Sequence, residues 1–208
     1  MFYVRKFLFS RPKVNKVIVL LTLSDIFTWG IHFVVLALVG IYISERLGQN
    51  AVQIVGIGSA VYTGSRGLLE LPVGRLTDII RFDHDEIVIL SLGNIIMGTS
   101  YLFYPLISSP GAYYALQFTF AVGAAMNLVS WKKLFAANLD RNAEGQEYGE
   151  YGLVMGLSTA VFGIVAGSVA NLGMPYFHLV IVVIGVMTMF SSIFAFSIFS
   201  DKKRNNNL

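Results

Sequence analysis

Asp25, His32, Arg66 and Glu70 interrupt long apolar runs of this 208-residue sequence. A carboxylate or imidazole held away from water can take up and release a proton or hold a cation, and histidine changes charge near neutral pH. Inserting an Asp or Arg at the middle of a bilayer costs about 2.5–3.5 kcal/mol, so such residues are kept for a partner or a function. Arg66 and Glu70 stand four apart, a spacing that lets opposite charges meet on one helix face, and Ser59, Tyr62 and Thr63 continue that polar stripe. Asp25, Trp29 and His32 share a face of a continuous α-helix, and Gln117, Ala124, Asn127 and Trp131 follow a similar spacing. Two readings stand open. In the first, Asp25 is a proton or cation site and Trp29, His32, Gln117 and Asn127 contact a solute. In the second, Asp25, Arg66 and Glu70 form a neutralised network that holds helices together near the cytoplasmic side. Its i,i+4 partner favours the structural role for the Arg66–Glu70 pair. The lack of a basic residue on its own helix face favours function for Asp25. A hydrogen-bonded structural histidine is the plainer account of His32.

The elements that must carry these residues are apolar. Hydrophobic residues make up 55% of the chain and charged residues 13%, against about 25% charged in a soluble domain. Six apolar segments emerge, near 17–43, 51–73, 87–107, 111–131, 148–172 and 177–199. Each reaches the ~20 residues needed to cross about 30 Å of hydrocarbon as a helix. Strands of a membrane barrel would alternate apolar and polar residues, and no such alternation is present. The sequence therefore predicts an all-α membrane protein with six transmembrane helices. Residues 1–16 read as an interfacial segment with Phe2, Phe7 and Phe9 at the headgroups, because Arg5, Lys6, Arg11 and Lys13 break the apolar pieces of any signal peptide. Residues 200–208 read as a polar tail. The absence of cysteine excludes disulfides and thiolate metal sites.

The cations set an orientation. Arg5, Lys6, Arg11, Lys13 and Lys16 precede the first segment; Arg75 and Arg81 follow the second; Lys132, Lys133 and Arg141 follow the fourth; Lys202, Lys203 and Arg204 close the chain. Only Arg46 falls on the opposite side, and Arg66 lies within a segment. By the positive-inside rule both termini are expected in the cytoplasm of a cell (inner) membrane protein. The net charge of +3 is thus explained by membrane topology, with no nucleic-acid partner implied.

"GRLTD", Gly74 to Asp78, closes the second segment. It resembles the first half of the Gly-x-Leu-Ala-Asp-Arg-x-Gly-Arg-Lys loop that joins the second and third helices in the major facilitator superfamily. "QFTFAVGAAMN" is similar to that family's fourth helix, "GEYGLVMGLSTAVFGIVAG" to its fifth, and "LFAANLDRNAEGQEYGEYG" to the loop between them in small prokaryotic members. The likeness covers roughly residues 17–199 and resembles the N-terminal bundle. Departures are specific. The loop's later basic positions hold Ile79, Arg81, Phe82 and Asp83, Thr119 stands where the fourth helix has its Arg, and "GIVAGSVAN" lacks the Gly-Pro pair of many drug antiporters.

The resemblance implies one six-helix bundle made of two inverted three-helix repeats, here near 17–107 and 111–199, with a second bundle needed to enclose a cavity. A homodimer is then expected, and with it a secondary carrier moving an unidentified small solute by alternating access, with a proton or cation as a coupling candidate. The first and fourth helices would line the path, and the second would pack on the fifth of the other bundle. Gly56, Ala60 and Gly64 make one small-residue stripe for that packing and Gly152 and Gly156 another, extended by Ala160, Gly163 and Gly167. Pro72 and Gly74 are expected to end the second helix. Gly74, Leu76, Asp78 and Arg81 would form the gating loop, with Asp78 facing the start of the partner's fifth helix near Tyr148–Glu150 and latching the outward-open state. The alternatives are a non-transporting scaffold or accessory subunit, or one half of a heteromeric transporter. An intramembrane enzyme is disfavoured, because the sequence holds no His-Glu-x-x-His pair, no Gly-x-Ser-x-Gly turn and no phosphate-binding loop. No cofactor or metal is called for.

Overall fold

A computed structural model describes residues 15–79 and 85–205, with side chains as far as Phe199. Residues 1–14, Arg81 and residues 206–208 lie outside the described residues, and with them most of the expected interfacial segment, one gating-loop position and the end of the tail. The described residues form six helical rods and no strand. Helix α1, Lys16–Leu47, is α-helical over Lys16–Asp25, π-helical over Ile26–Gly30 and α-helical again over Ile31–Leu47. The others are α2 (Ala51–Ile79), α3 (Asp85–Leu102), α4 (Pro110–Asn138), α5 (Glu144–Ala170) and α6 (Met174–Asn205).

The ends of the rods follow from local chemistry. Asn15 accepts from the Val17 amide at 2.9 Å and donates to the Asn138 carbonyl at 2.8 Å, so it caps α1 and fastens it to the end of α4. Gly48, at φ +72°, closes α1 where a side chain would be strained. Ser109 caps α4 and Pro110 opens it, where a missing N–H costs nothing. Glu144 and Glu147 lie in the first turn of α5, at the positive end of its dipole.

Five rods, α1 and α3 to α6, are long and apolar enough to cross a membrane. Helix α2 has the length, at 29 residues, but its Ser59–Glu70 stripe and last-turn charges lower its apolar content. A second difference lies at its end. Helix α2 does not stop at Pro72 and Gly74 but runs on to Ile79. Gly74, Leu76 and Asp78 are therefore in the last turns of a helix, not in a loop. The missing proline N–H leaves one carbonyl unserved; Pro72 and Leu68 are on an exposed face, and beyond them the Thr77 hydroxyl bonds the Gly74 carbonyl at 2.9 Å. Lys133 of α4 donates to the Thr77 carbonyl at 2.7 Å and holds the extension in place. Helix α6 likewise continues to Asn205, past its apolar run.

Helix α3 is central and packs extensively on α4 and α6. Both crossings are built on glycine pairs. A Cβ on Gly93 would lie 2.7 Å from the Gly123 carbonyl oxygen, and one on Gly185 would lie 2.8 Å from that of Gly98. In hydrocarbon, where apolar burial between helices gains little, such close approach supplies the packing contacts. Helix α2 packs chiefly on α4, and α5 chiefly on α1. Exchanging α1 with α4, α2 with α5 and α3 with α6 maps the main contacts onto one another: α3–α4 becomes α6–α1, and α2–α4 becomes α5–α1. Two apolar clusters fill the bundle, a large one around Tyr42, Tyr101, Tyr113 and Phe120 and a smaller one around Leu21, Leu90 and Phe135.

Candidate functional site

The polar face expected on α1 is split by the π-helical segment. Asp25, Trp29 and His32 would share a face only if the helix were α throughout, and the wide turn at Ile26–Gly30 rephases the two halves. Asp25 turns to α5, where the Tyr151 hydroxyl donates to its Oδ2 at 2.6 Å. Trp29 turns to α4 and donates from Nε1 to Asn127 Oδ1 at 2.7 Å. His32 turns to α3, with Nδ1 2.6 Å from the Tyr101 hydroxyl, and stacks on Phe120 of α4 at 4.7 Å. The three residues thus reach three different helices.

Asp25 is almost wholly buried, and its Oδ1 has no hydrogen-bond partner among the described residues. Beside it, a groove of about 370 Å³ runs between α1 and α5, with Thr22, Glu147, Glu150 and Tyr151 in its walls. Tyr151 both lines this groove and bonds Asp25. Glu147 is buried and accepts from the Asp140 amide at 3.0 Å, closing the turn into α5.

Trp29 and Asn127 belong to a continuous hydrogen-bond chain. Asn127 Nδ2 donates to Asn94 Oδ1 at 2.7 Å, and Asn94 Nδ2 donates to the Ser24 hydroxyl at 3.1 Å. Asn94 and Asn127 have no exposure, so this chain ties α1, α3 and α4 together in the core. Asn94 was not singled out in the sequence; it is one of several polar residues in an apolar run, and only its contact with Asn127 distinguishes it. The Thr28 hydroxyl extends the polar core to α6 through Ser191 at 2.8 Å.

His32 and Gln117 meet instead at a small cavity of about 20 Å³, with Ser59, Tyr62, Tyr101 and Tyr113 among its walls. That volume holds about one water. Gln117 donates to the Tyr113 hydroxyl at 2.6 Å. Tyr62, in its wall, is held by Arg66, which bonds the Tyr62 hydroxyl at 3.1 Å and lies over its ring at 5.3 Å. Arg66 Nε is 3.4 Å from Glu70 Oε1, yet it has no directed hydrogen bond among the described residues; the contact is an ion pair held by charge more than by geometry. Glu70 also reaches Lys132 of α4 at 3.5 Å, a partner that spacing along α2 could not reveal.

At the end of α2, Asp78 is exposed and lies 3.3 Å from Lys133 of its own chain, which also binds Glu86 at 2.9 Å. Leu76 is exposed, and Gly74 rests against Val129. Gly56, Ala60, Gly64, Gly152 and Gly156 face away from the bundle's contacts: all five are exposed, and a Cβ on any of the four glycines would meet nothing within 4 Å. The same open space surrounds Gly163 and Gly167. In contrast, Gly58 is covered by the Tyr113 ring.

A family model described as Major Facilitator Superfamily matches residues 18–207. No curated protein and no solved structure matches the chain.

Proposed function

Because the chain belongs to the Major Facilitator Superfamily, a family of transporters, we propose that this multi-pass membrane protein is a carrier bundle that pairs with a second copy of itself. The pair moves a small solute by alternating access. The six rods each cross the membrane, with α2 spanning in company with α4, and both termini lie in the cytoplasm of the cell membrane, as the distribution of Lys and Arg supports. The exchange pattern of the helix contacts supports two inverted three-helix repeats. One observation carries the pairing: α5 is the least buried of the rods and α2 presents a long exposed face, and the stripes Gly56–Ala60–Gly64 and Gly152–Gly156 lie on those surfaces with nothing against them. A second bundle laid on α2 and α5 covers both and closes a cavity along α1 and α4.

In this reading Asp25 is the proton or cation site, since it is buried, joined to Tyr151 and short of one partner among the described residues. His32 and Gln117, which share the small cavity, contact the solute. Trp29 and Asn127 hold the wall behind them, and Arg66, Glu70 and Lys132 form its charged border. Asp78, exposed beside Lys133, latches the outward-open state through the start of the partner's α5. Reconstituted protein assayed by counterflow against a panel of labelled small solutes tests the carrier directly. Exchange of at least one solute, with its pH dependence lost in Asp25→Asn, is the expected result. Ser59→Cys in the cysteine-free chain adds a test without a known solute: a carrier exposes it to impermeant thiol reagent from either side, and labelling from one side only, with no exchange, would defeat the proposal.

A further inference from the structure

The π-helical segment of α1 lies between the two halves of its polar face, and its surroundings show what register it sets. Asp25 and Gly30 are five apart, and both face α5: Asp25 through Tyr151, and Gly30 with Thr159 Oγ1 at 3.4 Å and Met155 Cε at 3.7 Å from where its Cβ would be. Residues five apart align on a π turn, whereas on an α-helix, at about 100° per residue, they diverge. Within the segment the Thr28 hydroxyl donates to the Ser24 carbonyl at 3.0 Å and lies 2.8 Å from the Ser191 hydroxyl, so side chains serve backbone and core at the wide turn. Asp25 meanwhile keeps one carboxylate oxygen without a partner among the described residues.

We propose that α1 has two registers and that the segment Ile26–Gly30 is the step between them: as π-helix it directs Asp25 to Tyr151, and as α-helix it turns Asp25 onto the face of Trp29 and His32. Conversion rotates Lys16–Asp25 against Ile31–Leu47 by about one residue, roughly 100°. Losing the carboxylate's charge weakens its hold on the Tyr151 hydroxyl and favours the step. Thr28 and Gly30 are then positioning residues, acting through Asp25. The purpose of the step, linking ion occupancy at Asp25 to the His32 cavity, rests on the carrier reading above; the register itself does not.

The chain has no cysteine, so single cysteines report cleanly. Thr22→Cys lies one turn before Asp25 in the α1–α5 groove, and Leu36→Cys, exposed on the half that stays fixed, serves as reference. Labelling by an impermeant maleimide is followed in nanodiscs with Asp25 intact, with Asp25→Asn, and with Ile26 deleted, which lets α1 be α-helical while each half keeps its contacts. The Thr22→Cys rate changes several-fold on Asp25→Asn while the Leu36→Cys rate does not, and deleting Ile26 abolishes the response. Thr28→Val, which removes the hydroxyl serving the wide turn, shifts the rate in the same direction as Asp25→Asn, a check that holds if the deletion fails to fold. An unchanged Thr22→Cys rate, equal changes at both positions, or a response that survives the deletion overturns the two-register proposal. If solute exchange still loses its pH dependence in Asp25→Asn while labelling stays constant, the register step fails and the carrier reading stands.

Discussion

Asn127 and Gln117 have similar side chains and opposite circumstances. Asn127 is bonded on both sides in the core, so Asn127→Leu leaves Trp29 Nε1 and Asn94 Oδ1 unpartnered. Orphaning buried polar groups costs about 1–3 kcal/mol, and thermal melting in detergent should show a clear fall in Tm. Gln117 is bonded to one tyrosine hydroxyl at a cavity wall, where fewer groups lose a partner, and Gln117→Leu should lower Tm less than Asn127→Leu while impairing solute exchange. An equal loss of stability in both variants would place Gln117 with the structural polar groups. At Asp25 the informative substitution is Asn, which keeps shape and removes the titration. Exchange by Asp25→Asn should continue without its pH dependence, and an intact pH profile would remove Asp25 from coupling.

At the scale of the element, the glycines divide into two populations that sequence spacing does not separate. Gly93 and Gly123 touch across a helix crossing, whereas Gly64 and Gly156 face open space. Gly93→Leu should therefore abolish folding, read as loss of monodisperse protein on size exclusion. Gly64→Leu and Gly156→Leu should keep the folded monomer and lose the dimer; an unchanged dimer yield would move the interface elsewhere. The helices themselves were legible because apolar runs of sufficient length are a strong signal, and a spacing of four sufficed to put Arg66 and Glu70 within ion-pair reach. Three things were not. The π segment is invisible because "IFTWG" carries no proline and its one glycine fits an α-helix as readily, and its wide turn is set by contacts with α5 and α6. The passage of α2 through Pro72 depends on α4 holding the far side. Lys132 and Lys133, read only as topology markers, meet Glu70 and Asp78 because α2 and α4 pack side by side.

For the whole molecule, the same packing sets which faces are filled and which are left open. Its center is tight around α3, while α2 and α5 hang their small-residue faces outward. The proposed Asp78 latch belongs to this scale, since in the carrier reading it joins two bundles. Asp78→Asn should raise cytoplasmic accessibility of groove cysteines such as Thr22→Cys, and no shift would confine Asp78 to its pair with Lys133. The central claim is that α2 of one copy packs on α5 of another. Protein carrying Gly64→Cys mixed in lipid with protein carrying Gly156→Cys, then oxidised, measures this directly. The account predicts a disulfide-linked heterodimer whose mass is twice that of the chain, formed faster than in either protein alone. Monomers only, by gel and by native mass spectrometry, would contradict it.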